Sequence, residues 1–125
     1  MPETYEGIEL PASYHLNLKD EPPRPESDGD GDIEYVSGPY LETDNGRFVL
    51  LQPNEEPTLG TCREVTRYAE SIYLEDVAEG ANICLETTAG HIALITYQGV
   101  SPQSDPSSYI ALDITVWRNA TTAQP

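Results

Sequence analysis

An all-β fold is what this 125-residue sequence predicts, an antiparallel sandwich or small barrel of about seven or eight short strands with one short helix. Three observations carry that expectation. Short runs rich in Tyr, Ile, Val and Thr recur along the chain, and these side chains pack well on a pleated surface. Turn signals separate the runs roughly every ten residues, and 11 prolines and 9 glycines supply most of them. The last third alternates apolar and polar positions over its longest runs, the period of a half-buried strand. The length suits one domain able to bury a core of its own.

Residues 1–12 are polar and bounded by proline, and read as a flexible N-terminal arm ahead of a single β domain over 13–118. Residues 14–18 alternate, with Tyr14, Leu16 and Leu18 on one face of a first strand. Residues 19–31 hold Pro22, Pro23, Pro25 and an Asp/Gly run, which forbids a regular element, so this is an acidic Pro/Gly loop. Residues 32–36 form a second strand. Residues 40–43 and 47–51 flank Asp44-Asn45-Gly46, and Asn-Gly between two β-prone runs predicts a hairpin with a tight turn. Residues 52–60 are a loop, marked by Pro53 and Pro57.

Residues 61–70 are the one helical candidate, with Cys62, Val65, Thr66 and Ala69 at helical spacing. Residues 71–74 return to β. Residues 81–87 and 91–100 flank a turn at Thr88-Ala89-Gly90. After a polar loop over 101–108, residues 109–118 form a long strand. Ile110, Leu112, Ile114 and Val116 share one face of it, and Tyr109, Ala111, Asp113, Thr115 and Trp117 the other. Residues 119–125 are a frayed tail.

The formal net charge is −16. Phosphate contacts need clustered Lys and Arg, so direct nucleic-acid binding is excluded as a function. An anionic membrane surface repels such a chain, and no apolar run is long enough to cross a bilayer. Cationic partners, metal ions and neutral sugars stay open, and the plain reading of the charge is a domain kept soluble and monomeric. The first 60 residues hold 14 acids and 3 bases, so most of the excess lies there, much of it between Lys19 and Glu34. Met1-Pro2-Glu3 is unlike a basic leader, which leaves either a cytoplasmic protein or a mature piece of a longer exported chain.

Few residues carry candidate chemistry. Cys62 and Cys84 are the only cysteines. In a small extracytoplasmic domain an even count reads as a disulfide, and in the cytosol as two buried thiols. Two cysteines without a nearby His pair do not make a structural zinc site. Asp28, Asp30 and Asp32 alternate with glycines and precede Glu34, and such a loop offers oxygens to calcium, the one cofactor the composition suggests. The EF-hand pattern fails, however, with Ile33 where glycine is required and Pro39 at the closing acid position. His15 and His91 have no G-x-S-x-G or comparable nucleophile motif beside them, so no catalytic residue is assigned. Tyr109 and Trp117 on one strand face suggest a ligand face of stacking aromatics, against the plainer reading of Trp117 as a core anchor. Asn119-Ala120-Thr121 matches a glycosylation sequon, informative only in a eukaryotic secretory setting.

Several of these stretches together resemble a poorly characterised family of small β domains of actinobacteria, often appended to the C-terminal end of longer proteins such as kinases and proteases. The resemblance covers about residues 13–118. It runs through Tyr14-His15-Leu16-Asn17-Leu18, Asp32-Ile33-Glu34-Tyr35, Gly46-Arg47-Phe48-Val49-Leu50-Leu51 and Thr61-Cys62-Arg63 leading to Arg67-Tyr68. Its most specific part is Gly80, Ile83-Cys84-Leu85-Glu86-Thr87 and Gly90-His91-Ile92-Ala93-Leu94-Ile95, closed by Leu112-Asp113-Ile114-Thr115-Val116-Trp117. His91 departs from the Arg expected after the glycine. The resemblance implies an appended, non-catalytic, extracytoplasmic module with Cys62 and Cys84 bonded, and it brings no ligand or catalytic residues.

The expectation is therefore a binding or accessory module that presents loops and a sheet face to a protein or glycan. Two rivals remain. One is a stand-alone acidic interaction protein that mimics nucleic acid on a basic partner, and the other an uncharacterised enzyme.

Overall fold

A computed structural model of the chain describes residues 3–18, 20, 23–27, 31–36, 40–44, 46–88, 90–100 and 109–118. The fold is all-β, as the sequence predicts, with nine strands among the described residues rather than seven or eight. In chain order these are β1 (Glu3–Pro11), β2 (His15–Leu16), β3 (Ile33–Val36), β4 (Tyr40–Glu42), β5 (Gly46–Leu50), β6 (Ser71–Tyr73), β7 (Asn82–Thr87), β8 (Ile92–Val100) and β9 (Tyr109–Trp117). One helix, α1 (Leu59–Glu64), lies between β5 and β6, and a single 3₁₀ turn, Leu74–Asp76, follows β6. All pairings are antiparallel, in a five-stranded sheet of order β1-β9-β8-β7-β5 and a four-stranded sheet of order β2-β3-β4-β6.

The two sheets face each other across the main core. Alternation along the strands fills it: Ile83 and Leu85 from β7, Ile95 and Tyr97 from β8, and Ile110, Leu112, Ile114 and Val116 from β9 meet Leu16, Ile33, Tyr35, Leu41 and Ile72 of the smaller sheet. The expected β7–β8 hairpin is present, with Ile83 opposite Ile95 and Cys84 opposite Leu94.

The five-stranded sheet also buries part of its outer face. Val49, Leu51, Cys84 and Ile92 form a second cluster with Cys62 of α1, and Leu59, Val65, Tyr68, Leu94 and Trp117 pack around it. At its rim the Arg47 guanidinium sits 3.7 Å from the centre of the Tyr68 ring and bonds Glu86 at 3.2 Å. The helix is shorter than the spacing over 61–70 suggests. Thr58 caps its start, with its hydroxyl accepting from the Thr61 N–H at 3.2 Å. It ends because Val65 turns extended, and the β-branched Val65 and Thr66 favour that conformation.

Three expectations are corrected. Residues 3–11 are not a loose arm but an edge strand on β9. Its buried side is Tyr5, Ile8 and Leu10, and the bulge between Tyr5 and Ile8, with Gly7 at φ 69°, breaks the period-2 pattern that marks a strand. Second, Asn-Gly does not close a hairpin. β4 pairs with β3 and β6 and β5 pairs with β7, so Glu42 ends a strand of the smaller sheet and Gly46 begins one of the larger. Gly46 is required there by close approach, since a Cβ would run into the Glu86 carbonyl oxygen. Third, the 19–31 loop is not without strand-like pairing. Pro23 and Gly31 are buried, and His15 and Glu26 exchange two main-chain hydrogen bonds of 2.9 Å.

Candidate functional site

The sandwich is open along one side, where β5 ends the larger sheet and β6 the smaller. Phe48 and Ala69 join the two there. Beyond this stitch the chain diverges and leaves a trough of about 580 Å³. Leu50, Leu51 and Pro53 form one wall, Ile72, Tyr73 and Val77 the other, and Ala78 and Ala81 lie between them. A second hollow of about 320 Å³ shares Leu51, Pro53, Ala78 and Ala81 and continues the trough toward Glu55 and Glu79. Tyr73 stands at the rim with 61% of its surface exposed, its ring edge-on to Tyr40 at 5.6 Å.

Main-chain groups also face this side. Leu51 N–H donates to the Asn82 carbonyl, whereas Phe48 N–H donates to the Ala69 carbonyl and the Phe48 carbonyl accepts from Ala69 N–H. Successive residues of a strand turn their N–H and C=O to alternate sides. Leu50 therefore turns its pair away from β7, as Phe48 does. Its carbonyl accepts from Arg67 Nη2 at 3.3 Å. On β6, Thr43 N–H donates to the Glu70 carbonyl, and the same parity turns the main-chain groups of Ser71 and Tyr73 away from β4.

Arg67 is the cation in the trough wall, and Glu55 pairs with it through two hydrogen bonds of 2.6 and 3.2 Å. That guanidinium, together with the Gln52 N–H, holds the Glu55 carboxyl below the usual carboxylate range. On the segments that form the walls, Glu56, Glu70, Glu75 and Glu79 are exposed.

The residues singled out from the sequence fall elsewhere. Cys62 and Cys84 form a disulfide, both residues being buried, which ties α1 to the outer face of β7. Tyr109 and Trp117 do share the outer side of β9, but they stand at its two ends, about 26 Å apart at ~3.3 Å per residue. One sugar ring cannot stack on both. Trp117 is half-buried against the disulfide cluster, so the core-anchor reading describes it.

Asp28 and Asp30 lie outside the described residues. Asp32 is buried, and its Oδ2 accepts from the Leu18 N–H at 2.8 Å, so that carboxylate fastens one strand to the next segment. Among the described residues no group of three or more His, Cys, Asp or Glu is arranged to hold a metal ion. His15 is buried on β2 and His91 adjoins the β7–β8 turn, so the two histidines belong to different sheets.

Beside His15 the outer side of the smaller sheet carries Glu34, Glu42 and Asp44. Partial burial raises the Glu34 carboxyl above its ordinary range, and the neighbouring Asp44 and Glu42 add to the shift.

The trough was missed from the sequence because its walls come from two stretches far apart, and no motif joins them. Exposed Tyr73 in an otherwise short apolar run was the nearest thing to a signal. Comparison with known protein families, curated proteins and solved structures finds no match to this chain.

Proposed function

We propose that this chain is a non-catalytic binding module whose open trough receives an extended segment of a protein partner. The observation that carries this reading is the continuous apolar hollow between two strand edges, with Tyr73 exposed at its rim. Ligand sites are concave, mostly apolar and edged by a few polar groups, and exposed tyrosines are frequent anchors of protein interfaces. A protein fits better than a glycan because the two aromatics suited to sugar stacking are about 26 Å apart by the ~3.3 Å rise per strand residue. An active site needs convergent titratable groups, and the two histidines sit on separate sheets.

The module works outside the cytoplasm on this reading. Its disulfide supports that, since such bonds persist in oxidising compartments. It is also the setting that the resemblance of residues 13–118 to appended actinobacterial domains would imply.

Random decapeptides displayed on phage and panned on the oxidised protein test the proposal. Enriched peptides should bind the native chain and lose binding to Ala78→Trp, which fills the trough from an exposed position. Binders indifferent to that substitution would remove the trough as the site.

A further inference from the structure

We infer that the occupant of the trough is a basic, alternating apolar segment that adds to the β5 edge as a strand; this rests on the trough being the binding site. Two independent features lead to it.

The first is the main chain. Leu50 directs its N–H and C=O to the trough side, and Ser71 and Tyr73 direct theirs away from β4. An edge strand with outward main-chain groups is a template for another strand, and β-strand addition is a recurring way for a domain to hold an extended peptide. The Leu50 amide donates to the incoming segment. Arg67 holds the Leu50 carbonyl by a long 3.3 Å bond from a side chain about half exposed, so an incoming N–H can take its place. Alternate side chains of an added strand point to one face, so every second residue enters the apolar hollow between Leu50 on one wall and Ile72 and Val77 on the other.

The second is charge. The wall segments expose Glu56, Glu70, Glu75 and Glu79, and Glu55 already neutralises Arg67. The chain as a whole carries −16. A lysine- or arginine-bearing segment is drawn to this rim and an acidic one is repelled.

The probe is an end-capped octapeptide of alternating Val and Lys, titrated into ¹⁵N-labelled, oxidised protein. The expected result is amide shifts at Leu50, Leu51, Ser71 and Tyr73, with affinity falling as salt is raised. The Val/Glu counterpart should bind at least about tenfold more weakly, and so should a Val/Lys peptide N-methylated at every residue, which has no main-chain N–H to donate along either edge. Equal binding by the N-methylated or the acidic peptide overturns the inference, as do shifts that map away from these residues. Displayed peptides that are lost on Ala78→Trp yet lack basic residues would overturn it too, while leaving the trough as the binding site. Binders indifferent to Ala78→Trp would instead defeat the broader proposal.

Discussion

Phe48 and Ala69 exchange two main-chain hydrogen bonds, of 2.7 and 2.8 Å, and this pair joins the free edge of the five-stranded sheet to the segment that leads into the smaller sheet. The trough begins where this stitch ends. Phe48 is fully buried in the main core, so the stitch is anchored on one side. The two walls are thereby tied to each other at one end of the trough.

Loss of the Cys62–Cys84 bridge should lower stability by about 3 kcal/mol, mostly by freeing the unfolded chain. Guanidinium unfolding of the double Cys→Ala variant against the oxidised protein measures this. An unchanged midpoint would mean that α1 is held by packing alone. The compartment is tested separately. Protein isolated without reductant and then denatured should show no free thiol, and two free thiols would contradict export.

Asp32→Ala should cost about 2 kcal/mol, because the buried Leu18 N–H loses its charged acceptor. Urea unfolding reads the change. A loss of a few tenths would show that water or another group replaces the carboxylate.

Glu34 should make stability fall as pH rises through the acid range. Its folded carboxyl binds its proton more tightly than the unfolded one, because of burial and of Asp44 and Glu42. Its cost is absent below the ordinary carboxylate value and fully present once pH exceeds the raised one. Glu34→Gln should therefore stabilise the protein at neutral pH, with an advantage that shrinks towards pH 4. A constant difference across that window would contradict the assigned environment.

Trp117→Ala should destabilise the fold by about 2 kcal/mol by opening the cluster around the disulfide. It should leave peptide binding at the trough unchanged. Lost binding in a folded Trp117→Ala protein would move the site to the outer side of β9.

Legibility in the sequence followed regularity. The β7–β8 hairpin and β9 could be read because Ile110, Leu112, Ile114 and Val116 keep strict alternation with one side in the core. β1 could not, because the bulge at Gly7 puts Tyr5 and Ile8 on one side three residues apart. Asn45-Gly46 misled because close approach to Glu86 asks for glycine as strongly as a tight turn does. The cysteine pairing was one of two readings left by the count, and the fold selects the bridge. The trough is a tertiary property. Leu50 and Ile72 become neighbours only after the chain has passed from one sheet to the other and back, which no local pattern records.

Binding at the trough is tested most directly by chemical-shift mapping of a peptide selected on the native protein, repeated on Ala78→Trp. Shifts should concentrate at Leu50, Leu51, Ser71 and Tyr73, and none of them should appear in the filled variant. Shifts gathered instead along Tyr109 to Trp117, or surviving in Ala78→Trp, would contradict binding there.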